Sequence, residues 1–242
     1  MYLDAFHDTQ DGLTRITAQQ GSRFAKEIAG DFNPIHNPGA KRFVVPGDLL
    51  FSLVLERYGL SECMAFSFTD MVGADTDLDF PDTDAPSFEI ADATGRVCLK
   101  VRREGRRTRD MSLLERFTLA YVSFSGQTFP HVLVPLMRAH DVMINPQRPL
   151  VIYEGMSFDL EDLDIREPEL ELENSSLMVN GKRGDVSLDF VIRAGGRAVG
   201  TGAKKLVLSG LRPYDDATMQ ALVDQYAESK AANRRSGMKD EG

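Results

Sequence analysis

Cysteine and histidine are scarce in this chain, which holds two cysteines and four histidines among 242 residues. Two cysteines cannot build the disulfide framework of a small secreted protein, so Cys63 and Cys98 are expected as free thiols in a reducing cytoplasm. Neither CxxC nor HExxH spacing occurs, and no metal site is predicted. The alternating aspartates of residues 75–84 are interpreted as an exposed sheet edge, with a divalent-cation site as the alternative.

Acidic residues outnumber basic residues in this chain, which also lacks long apolar runs. The net charge is −9 and the pI is about 5.0, which argues against a nucleic-acid partner held through phosphate contacts. No apolar run approaches the ~20 residues that span a bilayer, so no membrane span is predicted. The N-terminal residues show neither the basic nor the apolar part of a signal peptide. A cytoplasmic location is therefore expected.

One basic cluster interrupts this acidic background: Arg102, Arg103, Arg106, Arg107 and Arg109. Charge runs usually mark a solvated strand end and turn. The alternative is a docking site for the phosphates of coenzyme A or for an acidic carrier protein. On that interpretation Arg102, Arg103 and Arg106 are candidate substrate-binding residues.

The order of predicted elements repeats along the chain. In each half a short helical run and a loop precede an apolar helix and several strands, and the turns Ala93-Thr94-Gly95 and Ala194-Gly195-Gly196 occupy matching positions. This repetition predicts an internal duplication. The predicted fold class is α+β, a double hot-dog in which two antiparallel sheets each wrap around a buried central helix. The expected units are residues 1–108, residues 109–212, and a C-terminal helix and tail of residues 213–242.

Residues 23–36, RFAKEIAGDFNPIH, carry the clearest chemical signal. A helix-like run over 22–29 breaks at Gly30, and Pro34 keeps the following residues off a helix. Asp31, Asn33 and His36 are therefore expected on an irregular loop, where a carboxylate near an imidazole suits proton transfer at neutral pH. The structural alternative is a loop held by Asp and Asn side chains, with His36 packed in the core.

The segment GDFNPIH resembles the Gly-Asp-x-Asn-Pro-x-His signature of MaoC-like (R)-specific enoyl-CoA hydratases, a hot-dog family. The preceding FAKEIAGD is similar to the family's lead-in, and PGDLLFSLVL lies where the family has His-Gly-x-Leu at the start of its central helix. The resemblance covers roughly residues 14–57. The whole chain also resembles a bacterial family of uncharacterised proteins that carry this segment.

The resemblance implies a role for each matched residue. Asp31 would take a proton from water, and His36 would orient that water and assist proton delivery to the α-carbon of an enoyl thioester. The Gly47 amide, at the start of the apolar helix, is the candidate donor to the thioester oxygen. Asn33 is expected to hold the loop through side-chain bonds to the backbone. No cofactor is implied, because coenzyme A enters as part of the substrate.

Three features depart from the family pattern. Pro46 replaces the family's histidine, Gly47 follows His36 by only eleven positions, and Asp48 places a carboxylate beside the expected oxyanion. The resemblance predicts a hydratase acting on a trans-2-enoyl-CoA or enoyl-carrier-protein, and these departures leave two alternatives open. These are an acyl-CoA thioesterase and a non-catalytic acyl-CoA or acyl-chain binding protein.

The shape of the site separates these alternatives. An open apolar tunnel that ends between Asp31, His36 and Gly47 favours an enzyme, whereas blockage by Phe32, Phe43 or Asp48 favours binding alone. The matching segment of the second half, SFSGQTF, has no Asp-x4-His pair. At most one site per chain is expected, acting on a small acyl thioester or an acyl carrier protein, and a homodimer is possible.

Overall fold

The structure is a computed structural model that describes residues 2–240. The helices are α1 (Ala18–Arg23), α2 (Gly47–Tyr58), α3 (Met111–Ser123), α4 (Ser125–Thr128), α5 (Val134–Ala139) and α6 (Asp216–Asp240). The strands are β1 (Asp8–Gln10), β2 (Leu13–Arg15), β3 (Leu60–Phe68), β4 (Leu78–Asp79), β5 (Ser87–Asp92), β6 (Val97–Thr108), β7 (Val142–Met143), β8 (Leu150–Leu160), β9 (Pro168–Asn180), β10 (Arg183–Ala194), β11 (Arg197–Ser209) and β12 (Arg212–Pro213).

Ten strands form one continuous antiparallel sheet in the order β1-β2-β4-β5-β6-β3-β8-β11-β10-β9, and β7 pairs separately with β12. The α+β class is confirmed, and the two antiparallel sheets that were expected are joined into one large sheet. Strand β3 pairs with β8 from Cys63↔Asp159 to Ser67↔Gly155 and joins the two halves. Two unpaired edges, which would otherwise expose backbone donors and acceptors, satisfy each other at this seam.

The strands on the two sides of this seam are connected in the same way. Moving away from it, the order is β3-β6-β5-β4 on one side and β8-β11-β10-β9 on the other. In both sets of four, the strand that comes first in the chain lies at the seam, and the strand that comes last in the chain pairs with it. The sequence of elements that suggested a repeat is thus accompanied by a matching order of strands.

Helix α2 lies in the main core against both halves of the sheet. Its Phe51 is fully buried and stacks on Tyr121 of α3, with ring centroids 4.6 Å apart. The same ring contacts Phe66 of β3 and Phe158 of β8. Because aromatic side chains contribute large buried areas, this cluster anchors α2 and α3 over the seam. Within residues 2–240, no helix combines the length and apolar character needed to cross a membrane.

Several predicted elements are confirmed and two boundaries are not. Helix α2 ends before Gly59, whose φ of 86° suits a glycine. Helix α1 begins earlier than predicted, because Thr17 and Gln20 form a capping box before it. The apolar run over residues 129–143 predicts a helix along its whole length, but the helix ends at Ala139 and β7 takes the last residues. Both cysteines are free thiols, as expected.

The hydrogen bonds of Asp92 in the β5–β6 hairpin turn predict how the stability of the protein changes at low pH. The Asp92 carboxylate accepts hydrogen bonds from Thr94 Oγ1 (2.6 Å) and Arg96 Nε (2.9 Å), which lower the pKa of Asp92 to about 2. Because this pKa is depressed on folding, its stabilisation is present above the unfolded value of about 4 and disappears as the pH falls toward 2. A carboxyl NMR titration should give a midpoint near 2, and a midpoint near 4 would contradict the described turn.

Candidate functional site

The loop with the predicted motif begins at an irregular end of α1. After Arg23 the chain continues as a π-helical turn, Phe24–Ile28, in which the Ala29 amide donates to Phe24 O at 3.1 Å. The Asp31 amide then donates to Ala25 O at 2.7 Å, and Gly30 adopts a φ of 64°. Wide turns of this kind are frequent at functional sites. Here the turn and the left-handed glycine aim Asp31 away from the helix axis.

Asp31 and His36 face each other across this loop. Asp31 Oδ1 accepts a hydrogen bond from the Asn33 amide (2.9 Å), and Asp31 Oδ2 lies 3.6 Å from His36 Nε2. On the other side of the ring, His36 Nδ1 lies 2.7 Å from Val44 O. Since a carbonyl oxygen only accepts, Nδ1 carries a proton there, which leaves Nε2 directed at the carboxylate. The pair is thus oriented by backbone groups on both sides.

Asn33 ties this loop to the other half of the sheet. Its Oδ1 accepts from the Ile35 amide at 3.3 Å and caps the short 3-10 turn Pro34–His36. Its Nδ2 donates to Val151 O on β8 at 3.0 Å. The loop that carries Asp31 and His36 is consequently fixed from within and from β8.

A cavity of about 420 Å³ opens beside the pair, and its wall includes Asp31, His36 and Gly47. This volume is in the range of small-molecule pockets. Phe32 forms part of the wall, whereas Phe43 packs toward Gly21 and Asp48 lies outside the lining. The apolar part of the wall includes Ile35, Val44, Val45, Leu50, Phe68, Val72, Phe129, Leu133, Ile144, Val151 and Leu206.

Helix α6 covers one side of the cavity. Its Tyr226 hydroxyl lies 3.2 Å from Gly30 O and 3.3 Å from Gly126 O, and the Phe32 amide donates to it at 3.4 Å. Gly126 allows this close approach, because a Cβ there would lie 2.5 Å from Gly30 O. Burial raises the pKa of Tyr226, so its hydroxyl remains a donor. Tyr226 therefore fastens α6 to the motif loop.

Gly47 begins α2 where the helix meets the cavity. The Leu49 and Leu50 amides both donate to Pro46 O, whereas the Gly47 amide precedes the intrahelical bonds. A Cβ on this residue would lie 3.2 Å from the Tyr153 ring and 3.3 Å from the Phe68 ring. There is therefore little room for a side chain at Gly47. Its amide lies at the positive end of the α2 dipole.

Four polar residues that sequence reasoning did not bring together lie in this wall or behind it, and three of them are buried while Tyr153 is partly buried. Lys204 of β11 is fully buried, and its Nζ donates to Tyr121 O (2.9 Å) and Ser125 Oγ (3.0 Å). Ser125 Oγ and the Tyr153 hydroxyl share a hydrogen bond of 2.6 Å. Asp48 Oδ1 lies 3.5 Å from Lys204 Nζ. The Asp48 carboxylate therefore faces a buried ammonium group.

Burial acts on both charges of this pair. It raises the pKa of Asp48, and the neighbouring Lys204 opposes that rise. It lowers the pKa of Lys204, and Asp48 opposes that fall. Both shifts have the same physical cause, because desolvation disfavours the charged form of each group. The two directions bring the acid and the base closer together in proton affinity.

The arginine cluster lies away from the cavity lining. Arg103 is buried and donates to the backbone oxygens of Tyr58, Thr83 and Ala85. Arg106 pairs with Glu62 at 2.6 Å and also with Asp162, and Arg102 has an exposed side chain on the same strand. Arg102, Arg103 and Arg106 are therefore not brought together with Asp31 and His36.

Among residues 2–240, no group of three or more His, Cys, Asp or Glu side chains is placed to hold a metal ion. Two of the aspartates in residues 75–84 form ion pairs instead. Asp77 lies 2.7 Å from Arg15, and Asp84 lies 2.8 Å from Arg107. At least these two aspartates of the acidic segment therefore have basic partners within the protein.

A family model described as "Protein of unknown function (DUF3581)" matches residues 1–217, and the chain belongs to this family. The expected whole-chain relationship to an uncharacterised family is thus confirmed. No curated protein matches the sequence.

Solved structures give more distant likenesses. A MaoC-like dehydratase is 9% identical, with a TM-score of 0.43, and the match covers 85% of this chain and 98% of that one. An acyl-CoA thioesterase II from Mycobacterium marinum is 10% identical, with a TM-score of 0.44 and coverage of 89% and 99%. A hot-dog protein of unknown function from Alicyclobacillus acidocaldarius is 9% identical, with a TM-score of 0.44 and coverage of 86% and 98%. At this identity, the function has to be inferred from the residues of the site.

Proposed function

We propose that this protein is an acyl-thioester enzyme that adds water to a trans-2-enoyl-CoA or enoyl-carrier-protein. The observation that carries the proposal is the oriented pair of Asp31 and His36, 3.6 Å apart, on the wall of an apolar cavity beside the Gly47 amide. A base, a second proton-transfer group and a backbone donor are the parts that hydration of a conjugated thioester requires.

In this proposal each residue has one step. Asp31 Oδ2 and His36 Nε2 hold one water between them, and Asp31 takes its proton as the water oxygen bonds to the β-carbon. His36, with its Nδ1 proton fixed on Val44 O, steers that water and assists delivery of a proton to the α-carbon. The Gly47 amide donates to the thioester oxygen, where negative charge develops.

The rest of the cavity suits the remainder of such a substrate. The apolar side chains of the wall provide a surface for an acyl chain. Five of the polar lining residues suit the amide groups of a pantetheine arm, which coenzyme A and acyl carrier proteins share. These residues are Lys26, Asn37, Gln225, Ser229 and Asn233.

An acyl-CoA thioesterase is the second candidate, and the same pair supports it. Water held by Asp31 and His36 would attack the carbonyl carbon, and the thiol of coenzyme A would leave. A specific observation favours this candidate as well, since Ser125 and Tyr153 add two hydroxyl-bearing side chains to the same cavity wall. Binding without catalysis is disfavoured, because neither Phe43 nor Asp48 belongs to the cavity lining and Phe32 forms only part of the wall.

The proposal includes the double hot-dog organisation, with units at residues 1–108 and 109–212 and the C-terminal helix and tail at residues 213–242. It is supported by the identical strand order on the two sides of the β3–β8 seam. The first unit supplies Asp31 and His36, and the second supplies β8, which holds Asn33. The duplication would thus turn one unit into a support for the chemistry of the other.

The experiment is a paired assay with crotonyl-CoA and a long-chain trans-2-enoyl-CoA. Hydration removes the enone absorbance and keeps the thioester, whereas thioester hydrolysis releases a thiol that a disulfide reagent detects. We expect enone absorbance to be lost much faster than thiol is released. Thiol release in its place would establish the thioesterase, and binding with neither reaction would contradict both enzymatic assignments.

A further inference from the structure

The hydration mechanism leaves one buried feature unused. Asp48 and Lys204 are almost completely buried, with exposures of 2% and 0%. Removing two charges from water is costly, and well-packed apolar residues are often as stable or more so. A buried pair of this kind, placed directly behind a ligand cavity, suggests a chemical role.

Ser125 connects this pair to the cavity. It begins α4 just after the junction with α3, and its hydroxyl lies 3.0 Å from Lys204 Nζ and 2.6 Å from the Tyr153 hydroxyl. Ser125 and Tyr153 both belong to the cavity lining that includes Asp31 and His36. A hydroxyl within hydrogen-bond reach of a base, with that base oriented by a third group, is the arrangement of an activated nucleophile.

We propose that Ser125 is a nucleophile that accepts the acyl group of a thioester, with Lys204 as its base and Asp48 as the residue that positions Lys204. The activity is acyl transfer from thioesters to Ser125, followed by hydrolysis. The inference rests on the proposed function only for the class of substrate, because it requires no carbon–carbon double bond.

The first step forms an ester. Ser125 Oγ bonds to the carbonyl carbon and its proton passes to Lys204 Nζ, after which the carbon–sulfur bond breaks. The departing thiolate takes the proton from Lys204 and leaves as a thiol. The Gly47 amide, whose helix start abuts the Tyr153 ring, is the donor for the tetrahedral oxyanion.

The second step regenerates the serine. Water activated by Asp31 and His36 attacks the ester carbon, and the bond from that carbon to Ser125 Oγ breaks. Asp31 accepts one proton from that water, and Lys204 Nζ gives one proton to the departing Ser125 Oγ. Release of the Asp31 proton to solvent and uptake of one by Lys204 restore both groups, and a carboxylic acid leaves. Nothing besides water is consumed, so a thioester and water become an acid and a thiol.

The state of Lys204 fits this role. A lysine acts as a base only as the free amine, and burial lowers the pKa of Lys204 while it raises that of Asp48. Transfer of one proton from Nζ to Asp48 Oδ1, 3.5 Å away, frees the Nζ lone pair for the Ser125 hydroxyl 3.0 Å away, while Nζ keeps a hydrogen for Tyr121 O. Tyr153 supports the serine from the other side as a hydrogen-bond partner.

Acid quenching followed by mass spectrometry tests the proposal. The full-length protein is mixed with octanoyl-CoA, a saturated thioester that cannot be hydrated, and its peptides are then searched for an octanoyl group. We expect the adduct on Ser125, at about tenfold higher occupancy or more in Asp31→Asn, since loss of a general base slows hydrolysis of the ester. Ser125→Ala should abolish the adduct.

The matched control is Ser123→Ala, two residues away on the end of α3 with an exposed side chain. It should form the adduct like the wild type. A thermal melt of Ser125→Ala checks that its fold survives, and Ser125→Cys, which keeps a nucleophile, should regain an adduct as a thioester. Absence of acyl-Ser125 from both the wild type and Asp31→Asn would overturn the proposal.

Assays with octanoyl-CoA and crotonyl-CoA together distinguish acylation of Ser125 from hydration of an enoyl thioester. Acylation of Ser125 by octanoyl-CoA without loss of enone absorbance from crotonyl-CoA would support the serine activity and contradict hydration. Enone loss without any adduct would do the reverse. An octanoyl group found equally in wild type and Ser125→Ala would place the modification elsewhere and contradict the role of Ser125.

Discussion

Asp31→Asn is expected to lower the rate of enoyl-thioester hydration by about 10²–10⁴-fold, the contribution typical of a general base. The substitution should leave the loop in place, because an asparagine carbonyl can still accept the Asn33 amide hydrogen bond that Asp31 Oδ1 accepts. What disappears is the carboxylate oxygen that faces His36 Nε2. Steady-state kinetics should show the loss in kcat, with KM nearly unchanged.

Asp70→Asn is the matched control. Asp70 also belongs to the cavity lining, but its carboxylate is partly exposed and pairs with Arg96 at 3.2 Å. Since exposed ion pairs contribute little to stability, this variant should fold normally. Asp70 takes no part in the proposed steps, so the variant should also retain the wild-type rate. Equal loss in the two variants would indicate a general effect of charge on the cavity, and wild-type turnover in Asp31→Asn would refute the role of Asp31.

The second large effect concerns stability. Lys204→Met leaves Asp48 buried without its cation, and breaking a buried pair in this way typically costs about 3–5 kcal/mol. Met is close to Lys in length, so packing against Tyr121, Phe124 and Tyr153 should be largely preserved. Urea unfolding monitored by circular dichroism should show the lower free energy of unfolding.

A double variant isolates the charge from the packing. Asp48→Asn combined with Lys204→Met removes both charges at nearly constant volume, and we expect it to recover most of the stability that Lys204→Met loses. The corresponding double-mutant cycle should give a coupling energy well above the roughly 0.3–0.5 kcal/mol found for independent sites. Additive losses would show that the two groups do not interact in the folded protein.

Local patterns were sufficient to predict α2 and the motif loop. The apolar run after Pro46 and the stop at Gly59 define α2, and Pro34 defines the loop that presents Asp31 and His36. These features depend on helical periodicity and on backbone restriction by proline and glycine, which a sequence displays directly. The distance of 3.6 Å between Asp31 and His36 depends on the fold of the loop and could not be predicted from the sequence.

The contacts around Lys204 depend on distant parts of the chain. Ser125 and Lys204 are 79 residues apart, and Asp48 comes from the first half of the molecule. One signal was available, because alternation along β11 places Lys204 on the same buried face as Leu206 and Leu208. The partner that makes such burial tolerable could not be identified from the sequence. The pairing of β3 with β8 could not be predicted either, because it also joins distant parts of the chain.

The central claim is that Asp31 and His36 direct water at an acyl thioester in this cavity. The most direct test is to react crotonyl-CoA in water labelled with heavy oxygen and to locate the label by mass spectrometry. We expect label on the β-carbon of an intact thioester with the wild type, and almost none with Asp31→Asn. Label confined to a released carboxylic acid would contradict hydration, and label in neither product would contradict a catalytic role for the pair.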